Sequence, residues 1–118
     1  MATLKLSLLG PFIASYNNQP LQNLRTNKVQ ALLIYLAVGK DRAHPRESLM
    51  ELLWPGMPLE SAQVNLRQTI YRLRKAIPEV SSISSDERVP LVLSDRQSVQ
   101  LNPEAAIDLD VFCRFGPS

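Results

Sequence analysis

An α+β domain is predicted for this chain of 118 residues, on three observations. The chain opens with a segment of apolar period two, continues through three segments of helical period, and closes with a strand–turn–strand pattern. Period two marks a half-buried strand, and a period near 3.6 marks a helix with one apolar side. This length suits one domain with a single modest core. An apolar fraction of 45% argues against disorder across the chain.

Leu4, Leu6 and Leu8 alternate with Lys5 and Ser7, giving a first strand over 3–9. Gly10-Pro11 breaks it, Phe12–Tyr16 reads as a second strand, and Asn17-Asn18 is a turn signal. Gln19–Leu24 supplies another short strand, which Pro20 confines to an edge. The opening is thus a small antiparallel sheet. Thr26 has the chemistry of a helix N-cap, and Val29, Leu32, Leu33 and Leu36 carry a helix over about 27–38 that Gly39 closes. Pro45 suits the first turn of a second helix, with Leu49, Leu52 and Leu53 facing inward and Glu47 near its positive end. Trp54 closes that apolar stripe as a core anchor, and Trp54-Pro55-Gly56 stops the helix.

Pro58 opens a third helix over about 58–77, and Pro78 ends it. Its seam is Leu66, Ile70, Leu73 and Ile77, spaced four, three and four. Gln68, Tyr71, Arg72 and Lys75 fall on the opposite side, with Arg67 and Arg74 flanking the seam. No Asp or Glu stands between Glu60 and Glu79, and four of the thirteen Lys and Arg residues lie between 67 and 75. The net charge of +2 argues nothing by itself; its focusing on one helix does. Such a surface suits a polyanion with a groove as wide as a helix. A plain solvated face has the same composition, and the helix alone does not separate the two readings.

Glu79–Glu87 is polar and Ser-rich and reads as a loop. Pro90–Leu93 and Ser98–Leu101 flank a polar tip at Ser94–Gln97, which makes a hairpin, and Asn102-Pro103 breaks it. Two helices joined by a short turn, the later one basic, with a hairpin directly after, describe a winged helix-turn-helix.

The motifs carry a resemblance as well. Leu8-Leu9-Gly10-Pro11-Phe12, Leu24–Leu33, Pro45-Arg46-Glu47, Leu52-Leu53-Trp54-Pro55, Asn65-Leu66-Arg67-Gln68 and Tyr71-Arg72-Leu73-Arg74 resemble the N-terminal domain of SARP-type (antibiotic regulatory protein) activators, within the OmpR/PhoB-type class. The resemblance covers about residues 4–112. It implies an N-terminal antiparallel sheet, three helices and a C-terminal hairpin wing, with the third helix in the major groove and the wing tip near the minor groove. It also implies a bacterial activator that binds direct repeats of double-stranded DNA head-to-tail and contacts RNA polymerase. The domain is expected over 1–112. Asp108–Phe112 then resembles the junction to a further activation domain, with 113–118 as the start of a linker. Members often carry Gly-Tyr leading the last wing strand, where this chain has Gln97-Ser98-Val99-Gln100, and response-regulator relatives often carry Arg where it has Tyr71.

Within that frame Gln68 is suited to pair with adenine and Arg72 with guanine. Arg67 and Tyr71 share the groove-facing surface, and Arg74 and Lys75 near the helix end suit phosphates. Asn65 and Thr69 sit at the edge of the exposed arc, where phosphate contact or helix packing is as good a reading as base readout. Arg96 at the wing tip is a minor-groove candidate, or a solvated turn cation. Arg25, Thr26 and Lys28 open the first helix, where backbone N–H groups favour a phosphate, although plain capping explains Thr26 equally. Arg46 at the start of the second helix is a further phosphate candidate.

Other classes find little in the sequence. Cys113 is the sole cysteine, so intramolecular disulfides and cysteine-based zinc sites are excluded. His44 has no second His at metal spacing and suits a surface or capping role. Gly10, Gly39, Gly56 and Gly116 are scattered, so no phosphate-cradling loop and no cofactor motif exists. Without a nucleophile–base pair, an enzyme is not expected. Apolar runs are too short to cross a bilayer and no signal peptide is visible, so a cytoplasmic location is expected, away from membranes. A free monomer, paired head-to-tail only on DNA, is the expected state. The competing class is a winged helix used as a protein-interaction module with an acidic partner.

Overall fold

The computed structural model describes residues 4–7, 13–16, 19–20, 27–40, 42–85 and 87–110. Among the described residues, three helices and nine strands follow one another in the order β1–β3, α1, β4, α2, α3, β5–β9. The opening strands β1 (Leu4–Ser7), β2 (Ile13–Tyr16) and β3 (Gln19–Pro20) are antiparallel neighbours, as the alternation in the sequence implies. Leu4 and Leu6 point into the core while Lys5 is exposed. The expected Asn17-Asn18 turn, Arg25 and Thr26 lie outside the described residues.

Helix α1 spans Asn27–Val38 and buries Val29, Leu32, Leu33 and Leu36, the stripe read from its spacing. Helix α2 (Arg46–Leu53) and helix α3 (Leu59–Ala76) each begin one residue after a proline. Pro45 and Pro58 therefore stand just outside the helices rather than in their first turns. In α2 the buried residues are Leu49, Met50 and Leu53; Leu52, expected inside, is exposed. Leu49, Met50 and Leu53 lie on one arc of the helix, and Leu52 falls off its edge.

The turn between α2 and α3 is a tight one. Met57 N–H donates to the Trp54 carbonyl at 3.2 Å, with Pro55 and Gly56 between them. Gly56 has φ +78°, a left-handed conformation that proline at the preceding position and glycine here make accessible without strain. At the other end of α3, the Ile77 N–H still reaches the Leu73 carbonyl, and Pro78 prevents continuation.

The wing is a hairpin of β7 (Val92–Ser94) and β8 (Ser98–Leu101), close to the expected limits, extended by β4 (His44–Pro45) on the far side of β8. Four short strands escaped the sequence reading, the first of them β4. Residues 79–87 are not a plain loop: β5 (Glu79–Ser81) pairs antiparallel with β6 (Arg88–Pro90), which takes Pro90 from the expected wing. Then β9 (Ile107–Asp110) joins the opening sheet, giving the order β3-β2-β1-β9 with β9 parallel to β1. The antiparallel sheet is thus completed by a parallel edge, and residues 108–110 of the expected junction are part of this sheet.

His44 is buried rather than on the surface. Its Nε2–H donates to the Gly39 carbonyl at 2.9 Å, and its ring tilts against Tyr35 at 5.0 Å. A side chain on Gly39 would stand 2.6 Å from the His44 ring, so glycine here serves the close approach of that ring. One continuous core joins Leu4 and Leu6 of the sheet, the three helices, and Val99 and Leu101 of the wing. The wing is consequently anchored in the core while its tip projects.

Candidate nucleic-acid interface

The third helix displays two rows of side chains with the same spacing. Leu66, Ile70, Leu73 and Ile77 are buried. Val64, Gln68, Tyr71 and Lys75 repeat the four, three, four spacing two residues earlier and are all exposed. A shift of two residues is a turn of about 200° at 3.6 residues per turn, so the second row lies opposite the first. Arg72 stands beside that outer row and is also exposed. Among the described residues Arg67, Gln68 and Arg72 make no hydrogen bond or ion pair with the protein, and Lys75 only rests its ammonium 5.9 Å from the centre of the Tyr71 ring. Val64 (45% exposed) and Tyr71 (62%) place apolar surface in the middle of this cationic face.

The flanks of the helix are used differently. Thr69 is buried, and its hydroxyl donates to the Asn65 carbonyl one turn earlier at 2.7 Å. It is not at the edge of the exposed arc, and of readout, phosphate contact and packing, packing is what its burial fits. Asn65 is half-buried, with its amide against the Met57 sulfur at 3.2 Å, so it faces the α2–α3 turn. On the opposite flank Arg74 donates to the Ser94 hydroxyl at the base of the wing tip. Arg74 and Lys75 also sit in the last turn of α3, where cations complement the helix dipole.

Between the start of α2, the first half of α3 and the wing tip runs an open groove of about 990 Å³. Arg46, Arg67 and Arg96 line it together with Glu47, Gln63 and Asp95. Three of the expected DNA-binding residues, distant in sequence, thus meet along one channel. Arg46 is nevertheless engaged: its Nε–H donates to the Asp95 carbonyl at 2.8 Å, and its backbone N–H donates to the Gln97 carbonyl at 2.8 Å. Lys28 is engaged too. Its ammonium donates to the Leu53 carbonyl at the C-terminal end of α2 and lies 5.8 Å from the centre of the Trp54 ring. That contact ties α1 to α2 and occupies the charge that the sequence assigned to a phosphate.

The wing tip is ordered by one carboxylate. Asp95 Oδ1 accepts the backbone N–H groups of Gln97 and Ser98, each at 2.8 Å, and the Ser98 hydroxyl at 3.3 Å. The Gln97 N–H, then that of Ser98, hold the Asp95 carboxyl below the usual carboxylate range, with a smaller pull from the Arg46 charge; partial loss of solvent works the other way. Arg96, between these residues, is exposed and bonds to no protein group among the described residues.

The family model described as "Transcriptional regulatory protein, C terminal" matches residues 22–89, more than half of the chain. The chain belongs to this family. It is a DNA-binding domain of the OmpR/PhoB type from a transcription regulator, a family of regulators rather than of enzymes. Among solved structures, Mycobacterium tuberculosis EmbR, determined in complex with a low-affinity phosphopeptide, matches with a TM-score of 0.65 at 22% identity over 91% of this chain. That likeness is one of fold, and the chain spans only 27% of the EmbR chain. No curated protein matches the sequence. Among the described residues no helix is long and apolar enough to cross a membrane, and no group of three or more His, Cys, Asp or Glu could hold a metal.

For a regulator of this family, two residues at the interface were missed by sequence reasoning. Val64 belongs to the outer row; an apolar residue out of step with the buried seam was the available signal. Asp95 organises the wing tip, and Asp followed by two or three turn residues before a strand is a recognised local capping pattern.

Proposed function

We propose that this domain binds double-stranded DNA sequence-specifically, with the outer row of α3 in the major groove and the wing tip at the adjacent minor groove. The family supports DNA binding; one observation above all supports this face. Arg67, Gln68, Arg72 and Lys75 point outward with no acidic partner, directly above a fully buried apolar seam. Unpaired cations on a rigid helix cost nothing to release from the protein and are free to displace counterions from phosphates.

Gln68 and Arg72 are assigned to bases, as readers of adenine and guanine. Val64, one turn before Gln68, supplies the apolar contact that suits a thymine methyl. Lys75 and Arg67 are assigned to phosphates and Tyr71 to the edge of the groove, while Arg74, already donating to Ser94, is assigned to the wing. Arg96 is the minor-groove residue. Arg25 and Thr26 retain their reading as the phosphate-binding start of α1. Asn65 turns toward the α2–α3 turn and contributes at most a phosphate contact.

At the level of the whole regulator, the SARP resemblance supports a bacterial, cytoplasmic activator that pairs head-to-tail on direct repeats and touches RNA polymerase through the α2–α3 turn. It also supports a domain ending near residue 112, with an activation domain to follow. Selection of bound duplexes from a random pool, followed by salt titration of the selected site, tests the reading. A defined motif and a negative slope of log affinity against log salt are expected. Equal binding to every duplex would remove the sequence specificity, and no binding to duplexes with binding to acidic proteins instead would make it a protein-interaction module.

A further inference from the structure

Arg46 was expected to grip a phosphate, yet its geometry directs it inward to the wing. Two of its groups hold the tip: the backbone N–H reaches the Gln97 carbonyl and the side-chain Nε–H reaches the Asp95 carbonyl, both at 2.8 Å. These bonds begin α2 and extend the ladder in which Pro45 pairs with Ser98. From the other side Arg74 of α3 holds the Ser94 hydroxyl. Inside the tip, the Asp95 carboxylate fixes the amides of Gln97 and Ser98. Ser94, Asp95, Gln97 and Ser98 are thus each bound within the protein, and Arg96 between them is exposed with no partner among the described residues.

We propose that Arg46 and Arg74 are positioning residues that brace the wing tip against the starts and ends of the two DNA-facing helices, so that Arg96 meets the minor groove in one fixed orientation. The inference rests on the DNA-binding reading above for its consequence, but not for its geometry. A rigid tip presents Arg96 without the ordering cost that a free hairpin loop carries on binding. Readout of minor-groove width then depends on residues that touch no DNA.

Arg46→Lys separates bracing from phosphate contact. Lysine keeps the charge but places a methylene where the arginine Nε–H donates, so the carbonyl of Asp95 loses that donor while a phosphate would keep its cation. In the DNA-free protein, hydrogen exchange at the Gln97 and Ser98 amides should accelerate several-fold in Arg46→Lys, with the thermal midpoint close to that of the parent. On the selected operator, Arg46→Lys should lose affinity about as Arg96→Ala does, with the salt slope unchanged. The two changes should be non-additive, with a coupling of at least about threefold in affinity. Discrimination between A·T-rich and G·C-rich sequence under the wing should fall in both variants.

Exchange at Gln97 and Ser98 unaltered by Arg46→Lys overturns the bracing. So does an Arg46→Lys variant that binds like the parent while Arg46→Ala loses about one unit of salt slope, the mark of a phosphate contact. If Arg46→Ala fails to fold, the lysine variant and Ser94→Ala, which removes the acceptor of Arg74, carry the same exchange test. Failure of the parent to bind any duplex would instead strike the DNA-binding reading, and the exchange result would still decide whether the tip is braced.

Discussion

Along the outer face of α3 the cations Arg67, Arg72 and Lys75 have no carboxylate or carbonyl partner among the described residues, whereas Lys28, Arg46 and Arg74 each donate to another part of the protein. The two groups are indistinguishable in type and in net charge. What separates them is reach. On α3 the residues within one helical turn of each cation are apolar, polar or also basic, so no acid is at hand. At the helix starts, the last carbonyl of α2 and the Asp95 carbonyl lie within reach of Lys28 and Arg46, and at the end of α3 the Ser94 hydroxyl lies within reach of Arg74. Charge on this surface therefore divides into a part left free, which the proposed reading gives to DNA, and a part that holds the presenting elements in place.

The comparison is tested most severely at two adjacent positions of one helix. Leu73 is wholly buried and Arg72 is exposed. Leu73→Ala should cost about 2–5 kcal/mol of unfolding free energy, since it opens a cavity among the three helices. Arg72→Ala should leave the denaturation midpoint within about 0.5 kcal/mol of the parent. It should nevertheless cost about 1–3 kcal/mol of operator binding and relax preference at one base pair. Chemical denaturation and binding isotherms on the two variants read both effects. A destabilised Arg72→Ala, or one that binds as the parent does, breaks the division.

Smaller effects sharpen it. Lys75→Ala should weaken binding to all duplexes alike and reduce the salt slope by about one. Lys28→Met should do the reverse: a stability loss of about 1 kcal/mol from the lost carbonyl bond and ring contact, with the salt slope unchanged. If Lys28→Met lowers the slope as Lys75→Ala does, Lys28 reaches DNA after all and its bond to α2 is incidental.

The division also marks what could be read from the sequence. The α1 limits and the seam of α3 were legible because they depend on periodicity within one helix. The outward direction of Gln68, Arg72 and Lys75 follows from the same periodicity. Partners from distant parts of the chain were not legible: the Leu53 carbonyl that takes Lys28 is 25 residues away, and the Asp95 carbonyl that takes Arg46 is 49 away. The short strands β5 and β6 escaped for a related reason. Three residues each, in a Ser-rich segment, they show no period; pairing with one another defines them. β9 was hidden because its partner, β1, is at the other end of the chain. Thr69 was misplaced because its polar side chain hides by bonding to its own helix. His44 looked solitary because its partner is a backbone carbonyl, which no motif records.

The smallest expected effect concerns Asp95 and acid. Its carboxyl is held below the ordinary carboxylate range chiefly by the Gln97 and Ser98 amides, so the folded wing favours the ionised form over the unfolded chain. A group depressed in this way contributes its full stabilisation above the unfolded carboxylate value, near 4. The contribution fades as pH falls from there through the lower folded value. Between pH 5 and 8 the wing tip should therefore be indifferent to pH, and below about 4 its amides should lose protection before the core does. Amide chemical shifts of Gln97 and Ser98 followed through an acid titration report this, with Asp95→Asn as the control that removes the charge but keeps an acceptor. Because α3 presents no carboxylate between Glu60 and Glu79, the outer-face amides of Gln68 and Arg72 should not move in the same range. Parallel movement of both regions would mean that acid acts on the fold as a whole. Movement confined to residues 95–98 would place the wing tip as a separately titrating unit, held to the helices through Arg46 and Arg74.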